Sequence, residues 1–427
     1  MRYLVIGCLA LLSALGVCAQ GIVIDVTETN VQSTPIAVVP FRWDSDGTQP
    51  VDFAEVVSDD LRRSGLFDPM PQANMLSFPS SGQQISFRDW SISQTDYLLV
   101  GTARTTAAGI EASIELYNVN TQEQVLNRTV SGGPNNGRDV SHRVSDLVYE
   151  TITGIEGIFG TKILYVSDAT QPDGEPSFRL MMSDQDGARE QLVIESHEPI
   201  MSPTWSPDRK QIAYVSFETG RPAIYIQNLA TGQREKITDF QGINGSPVWS
   251  PDGTKMAMVL SKDGNPEIYV MDLATKATQR VTNHFSIDTE PNWTPDGRSI
   301  YFTSDRGGRP QIYQADIANG RTTRLTFEGD YNARPRLSKD GRFLVMVHGR
   351  DGRFHIAVQD LQNDRVIIVS ETSLDESPTI APNGALVMYA TKWEGQGILA
   401  VVSLDAGVKY RMPSQAGNIR EPAWSPN

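Results

Sequence analysis

Cysteine is nearly missing from this chain. It has two, Cys8 and Cys18, and both fall in an amino-terminal leader. The leader, Met1 to Ala19, runs from Arg2 through an apolar stretch, Leu4 to Val17, to the small-residue cleavage site Val17-Cys18-Ala19. The mature chain is therefore expected to begin at Gln20 without a thiol, which excludes disulfides, thiol catalysis and cysteine-ligated metal together. A lipid anchor is not expected, because Val5-Ile6-Gly7-Cys8 stands too early to have an apolar region ahead of it. Long apolar runs are also lacking: nothing after the leader approaches the ~18 consecutive apolar residues of a membrane-spanning helix, so a soluble, exported protein without membrane insertion is expected. Positive charge is scarce. Lys and Arg number 37 against 51 Asp and Glu, a net charge of −14, and losing Arg2 with the leader makes it more negative. Such a balance argues against nucleic acid and anionic lipid.

Catalytic signatures are absent too. The five histidines, His142, His197, His284, His348 and His355, show no metal-ligating spacing and read as ordinary surface or blade residues. There is no Gly-x-Ser-x-Gly elbow, Walker loop or dinucleotide loop. Asp44-Ser45-Asp46-Gly47 and Asp184-Gln185-Asp186-Gly187 are fragments of calcium loops without the remaining acidic ligands, and read as plain turns. No cofactor, no metal and no catalytic residue is expected.

What the chain has in abundance is one repeated cassette. PTWSPDR from Pro203, PVWSPDG from Pro247, PNWTPDG from Pro291, PRLSKDG from Pro335, PTIAPNG from Pro378 and PAWSPN from Pro422 are spaced by 44, 44, 44, 43 and 44 residues. A fixed period of roughly 40 to 50 residues signals stacked units of the β-propeller kind. Ser250-Pro251-Asp252-Gly253 suits a tight turn. Before it Pro247-Val248-Trp249 is a short strand whose proline can stand only where no ladder donor is needed. Met256 to Val259, Glu267 to Val270 and Gln279 to Thr282 complete four strands, one propeller blade. Paired middle strands begin near Ile163, Ile212, Met256, Ile300, Phe343 and Leu386. The first lacks a Pro-x-Trp strand ahead of it and the last Pro-x-Trp strand, at Pro422-Trp424, has nothing after it. A six-bladed all-β propeller over 162–427, closed by the carboxy-terminal strand, is therefore expected. Trp205, Trp249, Trp293 and Trp424 read as inter-blade packing. The residues preceding each proline, Ser202, Ser246, Glu290, Arg334, Ser377 and Glu421, should form a ring at a channel entrance, with Glu290 beside Arg334 and opposite Glu421.

Residues 35–153 do not repeat and read as an α/β domain: a buried strand at Pro35 to Phe41, a helix over Val51 to Ser64, a β-meander from Asp96 to Val130 and a helix over Asp139 to Thr153. A glycine-punctuated linker, 154–161, leads into the first blade. In 20–34, Ile22-Val23-Ile24-Asp25 is a strong strand former cut off by a polar stretch. It could add to a partner's sheet edge or pair with its own domain, and the residues alone leave both open.

The ordered set of Ile22-Val23-Ile24-Asp25, Ile36-Ala37-Val38-Val39-Pro40-Phe41, Asp60-Leu61-Arg62-Arg63-Ser64-Gly65, Thr153-Gly154-Ile155, Tyr269-Val270-Met271-Asp272-Leu273, Gly308-Arg309-Pro310-Gln311 and Leu374-Asp375-Glu376-Ser377-Pro378 resembles the TolB family, soluble periplasmic components of the Tol-Pal cell-envelope system. The resemblance spans the whole precursor. It implies a monomeric, periplasmic, non-enzymatic hub that supports outer-membrane integrity and envelope constriction at cell division. It further implies that the propeller mouth binds the lipoprotein Pal and can be exploited by bacteriocins. Pal contacts carried over fall on Ser246, Thr289 and Glu290, and the rest of the ring joins them as candidates. The chain departs from the pattern at Ile243, where members can carry histidine. The mature amino-terminal segment, with Ile22, Val23, Ile24 and Asp25, is implied to bind the carboxy-terminal domain of TolA, which favours the partner-strand alternative. The rival reading, a propeller of the prolyl-oligopeptidase kind, lacks a nucleophile elbow and a hydrolase domain in this sequence.

Overall fold

Alternating apolar side chains build the amino-terminal domain. The computed structural model describes residues 24–25, 33–171, 174–412 and 417–427; the leader, Ile22 and Val23 lie outside the described residues. Along the strand Thr34–Val38, Ile36 and Val38 face one core while Ala37 and Val39 face another, as a strand covered on both sides requires. It lies parallel to Phe67–Pro69 and to Tyr97–Thr106, and the meander continues antiparallel through Gly109–Asn118 and Gln124–Gly132. Helix α1 (Phe53–Arg63) starts at Asp52, whose carboxylate accepts the Glu55 N–H at 3.0 Å. Helix α2 (Phe87–Ile92) buries Trp90 against Leu98 and Val100. Helix α3 (Gly137–Thr153) ends on Gly154, left-handed at φ 72°. It packs with α1 on the Ile36 face of the sheet.

The repeat produces six blades of four strands each, the sixth extended by one further strand. In the third blade the strands are Asn244–Trp249, Lys255–Leu260, Glu267–Asp272 and Thr278–Arg280. Ser250 closes the turn: its N–H bonds the Lys255 carbonyl at 2.9 Å and its hydroxyl bonds Asp252 at 2.6 Å, while Gly253 is left-handed at φ 72°. The first blade is completed by the last strand of the chain, Asn418–Trp424, which pairs antiparallel with Lys162–Thr170. The tryptophans sit between blades. Trp205 packs with Leu164 and donates to the Ala423 carbonyl at 2.9 Å, and Trp293 donates to that of Val248 at 3.1 Å.

Ile24–Asp25 forms a fifth strand on the sixth blade, antiparallel to Lys409–Arg411, with Ile24 opposite Tyr410. Ile24 and Asp25 thus pair within their own chain, and with the propeller rather than with the adjacent amino-terminal domain.

The domain interface corrects two sequence expectations. Asp184-Gln185-Asp186-Gly187 is a turn as expected, closed by the Gly187 N–H on the Asp184 carbonyl at 2.9 Å, but not a plain exposed one, and His142 is no ordinary surface or blade residue: Asp184, Gln185, Asp186 and His142 are all buried where the domains meet. Asp60 of α1 accepts from His142 Nδ1 at 2.7 Å and from the Ser145 hydroxyl at 2.7 Å, and pairs with Arg63. His142 Nε2 stands 3.5 Å from Asp184, which also takes Arg189 at 2.8 Å and Lys162. Asp186 pairs with Arg63 at 3.2 Å and with Arg138. Burial alone would lower the His142 pKa, but Asp60 and Asp184 outweigh it and raise it to about 9. The imidazolium therefore links the two domains. Asp60, His142 and Asp186 bring ligand-type atoms within 4.8 Å of one another, but Arg63 and Arg138 already neutralise the carboxylates, so the cluster is an ion-pair network rather than a cation site.

Candidate partner-binding mouth

Each inner strand is interrupted at its proline. In the third blade Gly245 pairs with Val259 and Val248 with Ala257, so Ser246 and Pro247 together oppose one residue, a β-bulge. The same shift recurs in the other five blades. The first bulge residue is left-handed every time, with φ 51° at Ser202, 47° at Ser246, 55° at Glu290, 54° at Arg334, 53° at Ser377 and 51° at Glu421. Proline suits the second position because it has no ladder donor to lose. All six pre-proline residues line one axial cavity of about 210 Å³.

Around this ring the charged groups are engaged by their neighbours. Glu290 accepts from Arg334 through both its Nε and its backbone N–H at 2.9 Å, and from the Thr303 hydroxyl at 2.8 Å. Arg334 reaches on to the Ser377 hydroxyl, and Glu421 accepts the Ser202 N–H. Burial opposes the charge on Arg334, but Glu290, Glu421 and Glu376 outweigh it and hold its pKa above the ordinary value. Thr289 is half-buried beside Glu290 and opposite Thr303; it lines neither this cavity nor the wider one above it.

That wider cavity, about 680 Å³, opens over the fifth, sixth and first blades, where Tyr331, Arg334, Phe354, Leu374, Lys392 and Arg420 line it. Its wall follows from strand length. The middle strands of the fifth and sixth blades, Phe343–Arg350, Arg353–Asp360, Leu386–Trp393 and Gln396–Ser403, have 8 residues each, and those of the second, third and fourth have 6. The low side exposes Ile243, Ile287, Phe327 and, at 88 %, Phe285. The amino-terminal domain contacts the other end of the ring, where Gly65 after α1 lies against Val408 and where Asn383, in a strand-connecting turn, donates to the Glu156 carbonyl of the linker at 2.9 Å. The mouth is left open.

Two sets of residues escaped the sequence reading. Asn244, Asp288, Asn332 and Asp375 stand at or next to the start of successive inner strands and are buried. Each ties down the loop that precedes its strand or a neighbouring side chain, as Asn244 does on the Phe240 carbonyl at 2.7 Å and Asp288 on Arg306 at 2.6 Å. Their 44- and 43-residue steps carried the signal. The interdomain charges are the other set; Asp60 falls on the apolar stripe of Phe53, Val57 and Leu61, an oddity visible in the sequence.

Comparison with known proteins agrees in both halves. Residues 22–125 match the TolB amino-terminal domain and residues 149–427 the TolB beta propeller domain. The Tol-Pal system protein TolB of Marinomonas sp. is 63 % identical over 95 % of this chain and 94 % of its own length. That of Pseudomonas entomophila is 55 % identical over 94 % of this chain and 93 % of its own. The crystal structure of TolB from Acinetobacter baumannii superposes with a TM-score of 0.87 at 42 % identity, covering 95 % of this chain and all of that one. An α/β domain carrying a six-bladed propeller with these relatives over nearly its full length belongs to the TolB family, a component of the Tol-Pal system.

Proposed function

We propose that the protein is a periplasmic, non-enzymatic hub that binds Pal at the propeller mouth and TolA through its mature amino-terminal segment, in support of outer-membrane integrity and of envelope constriction at division. The observation that carries the reading is the ring of Ser202, Ser246, Glu290, Arg334, Ser377 and Glu421 facing one cavity at the end of the propeller away from the amino-terminal domain. Apolar side chains on the low rim, Phe285 and Phe327 above all, provide anchors of the kind that dominate protein interfaces. Pal seated there, or a bacteriocin taking its place, would meet a polar floor and an apolar rim. Among the described residues no helix is long and apolar enough to cross a membrane.

The amino-terminal segment would reach TolA by exchanging one sheet edge for another. Ile24–Asp25 has its backbone pairing on the sixth blade, so a strand-addition complex requires it to leave that edge. Calorimetric titration of the mature protein with Pal and with the TolA carboxy-terminal domain tests both halves. Thr289→Ala combined with Glu290→Ala is expected to weaken Pal binding, and deletion of 22–34 to abolish TolA binding while Pal still binds. Unchanged Pal affinity in the double variant, or TolA binding that survives the deletion, would overturn the corresponding half.

A further inference from the structure

Below the pre-proline ring the channel changes character. Two residues further along each inner strand stand Thr204, Val248, Asn292, Arg336, Thr379 and Ala423, all lining the same axial cavity. This second ring has one charge, Arg336, and no carboxylate. The acids of the first ring are engaged there, Glu290 by Arg334 and Thr303 and Glu421 by the Ser202 N–H.

The neutral members of the second ring are biased as well. The Asn292 side-chain carbonyl accepts the Leu337 N–H at 3.1 Å, and the Thr379 hydroxyl oxygen accepts the Trp424 N–H at 3.1 Å. Neighbouring blades thus engage the acceptors, which leaves the Asn292 amide hydrogens and the Thr379 hydroxyl hydrogen to donate into the channel. Arg336 makes a single hydrogen bond, from Nη1 to the carbonyl of its own neighbour Pro335 at 2.9 Å, and among the described residues no carboxylate pairs with it. A guanidinium has five N–H donors, so most of its donors face the cavity. An enclosed cation with no carboxylate in direct contact is costly. Burial and the like charge of Arg334 accordingly outweigh the attraction of Glu290 and Glu421 and lower the Arg336 pKa to about 10.

We propose that this second ring is a binding site for a small monovalent anion, a halide or a carboxylate the size of formate, with Arg336 supplying the charge and Asn292 and Thr379 further donors. A cavity of about 210 Å³ admits such an ion with part of its water shell. The anion gives the Arg336 guanidinium the direct partner that the chain does not supply and requires no protein partner, so the site stands or falls independently of what binds the mouth.

Crystals of the mature protein soaked in sodium bromide, measured at the bromine absorption edge, locate the ion directly. The expected result is an anomalous peak beside the Arg336 guanidinium, lost in Arg336→Gln. A channel holding only water at high bromide, or a peak that survives Arg336→Gln, overturns the proposal. Thermal denaturation of the unaltered protein provides a second reading that needs no variant. The midpoint should be higher in chloride than in gluconate of equal ionic strength, because an ion bound only by the folded state stabilises it. Equal midpoints count against the site.

Discussion

Proline fixes its own φ and disfavours the helical region for the residue before it. The six pre-proline residues answer neither with an extended backbone nor with glycine: their φ values lie between 47° and 55°. For a residue with a Cβ the left-handed region costs roughly 1–2 kcal/mol, and for a β-branched one it is a genuine outlier. Six such residues on one circle persist because the bulge and the neighbouring blades hold them there. We therefore expect Ser246→Val to lower unfolding free energy by about 1–3 kcal/mol and Ser246→Gly to leave it unchanged or raise it, measured by denaturant unfolding. Equal losses in both variants would mean that the Ser246 hydroxyl, not the backbone, matters. Counting cassettes in the sequence was enough to place these residues on one ring. Their conformation was not legible, since the local rule for a residue before proline points to extended backbone and the bulge depends on pairing with a strand several residues away.

At the level of elements, the contact between domains passes through a glycine. Gly65 stops α1 at φ 72°, and a Cβ built on it would overlap the side chain of Val408 in the sixth blade. Gly65→Ala thus meets two penalties, a left-handed backbone and a steric one. It is expected to destabilise by about 1–3 kcal/mol, and Val408→Ala should return the steric part but not the backbone part. A double-mutant cycle by calorimetry separates them; a cycle that closes without coupling would show that the two residues do not meet in solution. The helix stop at Gly65 was readable from the apolar spacing before it. Its neighbour was not, because Val408 lies in a different domain. The uneven mouth was not legible either: Leu386–Trp393 carries no longer an apolar run than the shorter Lys255–Leu260, and which side of the ring is raised emerges only when six blades close.

Across the whole molecule, the charged interface predicts how stability depends on pH. The His142 pKa is raised from 6.5 in the unfolded chain to about 9 in the folded one. The stabilisation from its ion pairs is therefore fully present below about pH 6.5 and is lost as pH rises through about 9. A shift of that size corresponds to about 3 kcal/mol. Unfolding free energy of the unaltered protein should fall between pH 7 and 10, and His142→Gln should be less stable at pH 6 and show a flatter dependence over that window. A variant that keeps the full slope would place the titration elsewhere. None of this was visible beforehand, because Asp60, His142 and Asp184 come together from positions far apart in the sequence and each alone reads as an ordinary polar residue.

The strand that completes the first blade also sets an order of events. Ser425 accepts the N–H of Lys162 across 263 residues, and Asn418–Trp424 is the missing edge of the sheet that begins at Lys162. As the chain emerges from its amino terminus onward, five blades can assemble from contiguous sequence, whereas the first waits with an unpaired edge until the final residues are available. Closing so long a loop is slow. The earliest blade in the sequence is thus the last to finish, and the rate at which the whole ring becomes resistant to proteolysis should report the arrival of its final strand.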